Sequence, residues 1–281
     1  MTESLIFAPF MKIRSIWRVM PILFVVAGII GGCRSEFEKV RLSNNPESTL
    51  NAANKYYDDE EYLRAQTLYE LVLSQYRGRP EAESLYFRYA YTHYYLKQYT
   101  LAAHYFANFS TTFAYSDFRE DADYMSAYSD YQLSPGFRLE QSQTVEAIQG
   151  FQDFVNRYPG SARVAECNAL IDEMRAKLEE KAYASAALYY DIGEYEAAIQ
   201  SFENMLRDFP ETAKVELVRF QILQAAYYFA VKSVYEKRNG RYQLAVEKYM
   251  DFKRKFPKSK YQAEAKSIYD DCREQLKNLN Q

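Results

Sequence analysis

Three cysteines, nine glycines, eight prolines and one tryptophan in 281 residues leave several architectures without their raw material. So few cysteines exclude a small fold built on disulfides. With glycine and proline this sparse, neither a loop-dominated fold nor a low-complexity disordered chain fits. A dominant charge is missing too: 35 Lys and Arg face 38 Asp and Glu, a net charge of -3 with the signs mixed throughout. That balance offers no basic stripe for nucleic acid and no polybasic patch for anionic lipid. Histidine occurs only as His93 and His104. There is no HExxH, no paired CxxC, no Walker loop and no glycine-rich dinucleotide turn, so the reading is of a non-enzyme without metal or cofactor. Asp58 to Glu61 fall at an expected interhelical turn, and Asp121 and Asp123 near a helix start, where carboxylates are ordinary.

One long apolar run is present. Lys12, Arg14 and Arg18 precede Val19 to Ile30, and the run ends in Gly31-Gly32-Cys33. A positive end followed by a short apolar stretch is the order of a secretory signal. The small-small-Cys ending resembles the lipobox of bacterial lipoproteins. That resemblance implies removal of residues 1–32 and acylation of Cys33, followed by a tether over residues 33–45. Each buried methylene of such an anchor adds roughly 0.8 kcal/mol. Of the other cysteines, Cys167 sits in the helical apolar series Val164, Cys167, Ile171, Met174, Leu178 and reads as a buried small hydrophobe. Nothing local requires a bond from it to Cys272.

Tyrosine, by contrast, occurs 28 times. Many of these rings recur in a fixed pattern. Tyr62, Ala65 and Tyr69 are followed by Tyr99, Ala102, Phe106, by Thr144, Ala147, Phe151, by Tyr195, Ala198, Phe202, and by Tyr242, Ala245, Tyr249. Offsets of three and four place each triplet on one helix face, with alanine admitting a neighbouring helix and the rings filling its flanks. Tyr158-Pro159, Phe209-Pro210 and Phe256-Pro257 end three of these helices, since proline restricts the residue ahead of it and cannot continue the ladder. Ser161, Thr212 and Ser259 are then placed to accept bonds from the free amides of the next helix.

The repeated hairpin resembles the tetratricopeptide-repeat family. It implies an all-α superhelix of five irregular helical hairpins with a C-terminal capping helix over Gln262 to Leu276. In this alignment the family's glycine before the second helix survives as Gly193 and Gly240, with Glu60 and Lys97 in its place in the first two units. The anchors 62, 99, 144, 195 and 242 are spaced 37, 45, 51 and 47 apart, above the family's usual repeat of about 34. The extra length is expected in a loop over residues 131–142 and in first helices extended over 162–190 and 213–236. The concave side would be lined by Leu50, Asn54, Tyr57, Phe87, Tyr91 and Tyr94 in the N-terminal repeats, residues 46–130. The C-terminal repeats and cap, 143–281, carry mixed charge, with Arg207, Asp208, Lys232 and Glu236 as candidates for docking a folded partner.

A lipid-anchored array of five such units resembles the BamD family, tetratricopeptide lipoproteins of the outer-membrane β-barrel assembly machinery. The resemblance covers residues 33–277 and includes the signal, the long helix after Tyr158-Pro159, and the stretch Met205-Leu206-Arg207-Asp208-Phe209-Pro210. It implies a non-enzymatic scaffold at the periplasmic face of the outer membrane. The N-terminal half would contact unfolded outer-membrane proteins, with Asn54, Tyr57, Phe87, Tyr91 and Tyr94 as peptide-binding candidates. The C-terminal half would dock the periplasmic domains of the central barrel-assembly subunit, and small lipoproteins in some bacteria. An envelope adaptor coordinating cell-wall or division proteins through the same repeats is the alternative reading.

Overall fold

The computed structural model describes residues 35–280, so Cys33 and the segment before it lie outside the described residues. Twelve helices and no strand occur among the described residues. They are α1 (Glu36–Arg41), α2 (Pro46–Asp58), α3 (Tyr62–Val72), α4 (Ala82–Tyr95), α5 (Tyr99–Thr112), α6 (Arg119–Leu133), α7 (Ser142–Arg157), α8 (Val164–Asp191), α9 (Tyr195–Asp208), α10 (Val215–Val231), α11 (Tyr235–Lys255) and α12 (Gln262–Leu279). From α2 to α11 they form five tetratricopeptide-like hairpins, and α12 closes the series. The chain divides into two compact units inside α5, the first ending at Tyr105 and the second beginning at Phe106.

In the first unit α2 packs on α3 and α3 on α4. Its core joins Leu50, Ala53, Ala65, Leu68, Tyr69, Val72, Leu85 and Tyr89. Helix α2 starts because Asn45 Oδ1 accepts from the amides of Glu47 and Ser48, both at 3.1 Å, with Pro46 at the first helical position. In the second unit each helix from α6 to α12 packs on the next. The alanine of every triplet (Ala65, Ala102, Ala147, Ala198, Ala245) is 0% exposed, as expected of positions that admit a neighbouring helix. At Gly150 the approach is closer still: a Cβ there would stand 2.9 Å from the Cβ of Ala127 and 3.3 Å from its Cα.

Short turns reverse the chain by one recurring cap. Glu60, Lys97 and Gly193 all adopt positive φ, at 60°, 58° and 85°. The following amides reach back five residues, Glu61 to the Tyr56 carbonyl, Gln98 to His93 and Glu194 to Tyr189, at 2.8, 2.9 and 2.9 Å. Only Gly193 adopts this conformation without a Cβ penalty; for an L residue it costs roughly 1–2 kcal/mol. Glu60→Gly and Lys97→Gly are each therefore expected to raise stability by about 0.5–1 kcal/mol after the added unfolded-state entropy is deducted. Urea denaturation of each variant checks this, and a loss of stability would contradict it.

The aromatic-proline endings form as expected, with one refinement. The amides of Tyr158, Phe209 and Phe256 close the last turns at 2.8 Å each. Ser161, Thr212 and Ser259 accept from the amides of Arg163, Lys214 and Tyr261, at 3.2, 3.1 and 3.0 Å. Those amides belong to the residue just ahead of each new helix, so these hydroxyls shape the turn and leave the helix's own first amides alone.

Two expectations about length are corrected. Gly240 does not precede the second helix of the fifth unit; it lies inside α11, which starts at Tyr235. The break falls earlier because Val234 is extended (φ -62°, ψ 151°) and Ser233 is buried, its hydroxyl bonded to the Phe229 carbonyl. Consequently α10 stops at Val231 and the surplus of this unit sits in its second helix, whereas α8 is extended and runs unbroken for 28 residues. The loop between α6 and α7 is tied down: Gln141 Nε2 donates to the carbonyls of Gly136 and Leu139, and Lys177 Nζ donates to Ser134 Oγ at 2.8 Å.

Candidate functional site

The densest group of partly exposed rings lies in the first unit. Helix α2 contributes Tyr57 near its end, α4 contributes Phe87, Tyr91, Tyr94 and Tyr95, and α3 and α5 contribute their first residues, Tyr62 and Tyr99. The hairpin turns bring helix ends together, which is why residues so far apart in sequence meet. Tyr62 and Tyr95 stack at 4.3 Å between centroids and 19° between planes. Tyr57 stands edge-on to both, at 5.7 and 6.4 Å. Tyr91 and Tyr94 reach Tyr95 at 5.7 and 5.8 Å, Phe87 reaches Tyr91 at 5.0 Å, and Tyr94 reaches Tyr99 at 5.6 Å. Such edge and stacked pairs add about 0.5–1.5 kcal/mol each beyond the area they bury, so the wall is rigid before anything binds.

One cation is built into it. The Arg88 guanidinium donates to Asp58 Oδ1 at 2.9 Å and lies 5.0 Å from the Tyr57 ring centroid. Tyr69 donates its hydroxyl to Asn54 Oδ1 at 2.8 Å. Burial raises the pKa of Tyr57, with Tyr95 adding to the effect and Arg88 opposing it; burial likewise raises Tyr69 to about 12. Both phenols stay protonated at neutral pH and act as hydroxyl donors. Neither is poised as a nucleophile or base.

The peptide-binding candidates Asn54, Tyr57, Phe87, Tyr91 and Tyr94 are all half-buried on α2 and α4. Tyr57, Tyr91 and Tyr94 meet through Tyr95, and Phe87 joins them through Tyr91. Asn54 is committed to Tyr69. Leu50 is corrected: at 8% exposure it belongs to the core beneath and does not line a groove. The sequence reading missed Tyr62, Tyr95 and Arg88. Tyr62 opens a second helix and Tyr95 closes a first helix, so no shared repeat position marks the pair in the sequence.

His93 is a packing residue. It is 4% exposed, stacks on Tyr105 at 4.7 Å, and shares hydrogen bonds with Gln66 and Gln98. Cys167 and Cys272 are both buried and free. In the second unit Arg207 pairs with its neighbour Asp208 at 3.2 Å, and both remain exposed. Lys232 caps the end of α10 and Glu236 opens α11, each exposed. Asp121 and Asp123 are engaged by Arg163 and Arg157. Among the described residues no group of three or more His, Cys, Asp or Glu is placed to hold a metal ion. Also among them, no helix is long and apolar enough to cross a membrane.

Comparison with known proteins completes the picture. No curated protein matches the chain. Among solved structures, the TPR2AB domain of yeast Sti1 in complex with pHSP90 is 12% identical, covers 84% of this chain and 98% of its own, and has a TM-score of 0.37. The family model YfiO, described as an outer membrane lipoprotein, matches residues 43–239. That span is well over half of the sequence and takes in α2 to α10 and the start of α11, so this chain belongs to the YfiO family of outer membrane lipoproteins.

Proposed function

We propose that this protein is a non-enzymatic scaffold of outer-membrane β-barrel assembly, lipid-anchored through Cys33 at the periplasmic face. Its N-terminal repeats, 46–130, receive unfolded barrel segments, and its C-terminal repeats, 143–281, dock the central assembly subunit. The observation that carries this reading is the pre-stacked tyrosine wall of Tyr57, Tyr62, Tyr91 and Tyr95 in a chain of an outer membrane lipoprotein family. Rigid rings with hydroxyl tips supply apolar contact and hydrogen bonds at small entropic cost, which suits an extended, aromatic-rich strand. Holding such a strand beside a growing barrel requires binding alone, with no covalent step. The mixed-charge rim of Arg207, Asp208, Lys232 and Glu236 suits alignment of a folded neighbour.

A photo-crosslinking residue in place of Tyr95, which is 44% exposed, tests the assignment in cells. Adducts with unfolded outer-membrane proteins are expected, and Tyr91→Ala should weaken capture of an aromatic-ending strand peptide about tenfold. Adducts confined to peptidoglycan enzymes would overturn the assignment in favour of a cell-wall adaptor.

A further inference from the structure

The tyrosine trio of the first unit is duplicated in the second. Adding 133 to Tyr57, Tyr62 and Tyr95 gives Tyr190, Tyr195 and Tyr228, and the same shift carries Ala53, Asp58 and Ala65 to Ala186, Asp191 and Ala198. The geometry repeats as well. Tyr195 and Tyr228 stack at 5.5 Å and 27°, while Tyr190 stands edge-on to them at 5.7 and 6.3 Å.

The charge does not repeat. In the first unit the chain supplies its own cation, Arg88, against the ring of Tyr57 and the carboxylate of Asp58. The position 133 residues after Arg88 is Gln221, which carries no charge, while the ring and the carboxylate persist as Tyr190 and Asp191. Asp191 is exposed and takes part in no ion pair among the described residues. Burial raises the Tyr190 hydroxyl to about 12, and Tyr228, Tyr195, Asp191 and Glu264 push it the same way, although the Glu264 carboxylate already accepts from Gln224 Nε2 at 2.9 Å. Tyr228 remains 38% exposed, so the stack is open to a partner. Gln221 Oε1 is buried without a hydrogen-bond partner, an acceptor left over at the position where the first unit has its guanidinium.

We propose that the cluster of Tyr190, Asp191, Tyr195 and Tyr228 binds an arginine side chain carried on a partner protein. A planar guanidinium packs on a tyrosine face while bonding a carboxylate in its own plane, the two contacts that Arg88 makes at the first trio. The C-terminal cluster keeps the aromatic and acidic halves of that arrangement and takes the cationic half from outside. The proposed site lies wholly within the second unit and does not depend on what the first trio receives or on the assembly role.

The test is a titration of the full chain, labelled with ring-13C tyrosine, with the peptide acetyl-Ser-Arg-Ser-amide and with its citrulline counterpart, a neutral isostere of arginine. Saturable shifts of the Tyr190, Tyr195 and Tyr228 rings are expected with the arginine peptide. The citrulline peptide should bind about tenfold more weakly, and so should the arginine peptide to Asp191→Asn and Tyr228→Leu. These are exposed positions, and unchanged helical circular dichroism will show that each variant is folded. Tyr95→Leu, which alters the first trio, should leave the affinity unchanged. Equal binding of the two peptides, undiminished binding to both folded variants, or loss of binding in Tyr95→Leu alone would each overturn the proposal. So would the absence of any saturable shift with the arginine peptide.

Discussion

Replacing Phe202 with alanine should lower the unfolding free energy by about 3–5 kcal/mol. The ring is 0% exposed in the core of the second unit, beside Ala186 and Ala198 and 6.1 Å from the ring of Tyr183. Burial of such a ring contributes roughly 1.5–3 kcal/mol by transfer alone. Removing it adds the penalty of a cavity, because side chains held in a close-packed core between helices relax only partly into the space. Repeat arrays pass stability from neighbour to neighbour, so the damage should be felt across the fourth and fifth hairpins. Urea denaturation followed by circular dichroism gives the measurement, with Leu188→Ala as the comparison. Leu188 is on the same pair of helices but 59% exposed, and its loss should change stability by no more than about 0.5 kcal/mol. Similar costs for the two variants would mean that the assigned helix faces are inverted.

Cys33→Ser should remove the protein from the outer-membrane fraction altogether. Acyl chains on that sulfur would contribute roughly 0.8 kcal/mol per buried methylene, far more than the surface of the described residues offers a membrane. The described residues provide no spanning helix, and the mixed surface charge draws little toward anionic lipid. Without the thiol the signal stays uncut, leaving the chain at the inner membrane, or is cut elsewhere, leaving it soluble. Fractionation with an antibody against the chain distinguishes these fates. Serine at this position with an undiminished outer-membrane pool would eliminate lipid as the tether.

The hairpins were legible because their signal is local and redundant. The triplet from Tyr195 to Phe202 needs only helical periodicity to be placed, and Phe209-Pro210 needs only the geometry of proline. Gly240 misled because a glycine in a turn and a glycine tolerated in a helix look alike; what set the turn was the side chain of Ser233 and the extended Val234, which carry no comparable signature. The candidate site was half legible. Tyr57, Tyr91 and Tyr94 followed from the alignment that the tetratricopeptide resemblance implies. Tyr62 and Tyr95 did not, since they sit where one helix ends and the next begins, and only the closed turn shows that they stack. Arg88 was passed over for a related reason: a charged side chain on a helix reads as solvent-facing until a ring and a carboxylate are seen on either side of it.

The two enclosed thiols make this chain its own stopwatch. Burial raises Cys167 to about 11 and Cys272 to about 12, so neither forms the reactive thiolate while its helix stays docked. Alkylation by a small maleimide then proceeds only as fast as α8 or α12 lifts away, and mass spectrometry reports the two sites separately. With no engineered residue, the pace of adduct formation at each sulfur ranks how often the middle and the end of the second unit breathe.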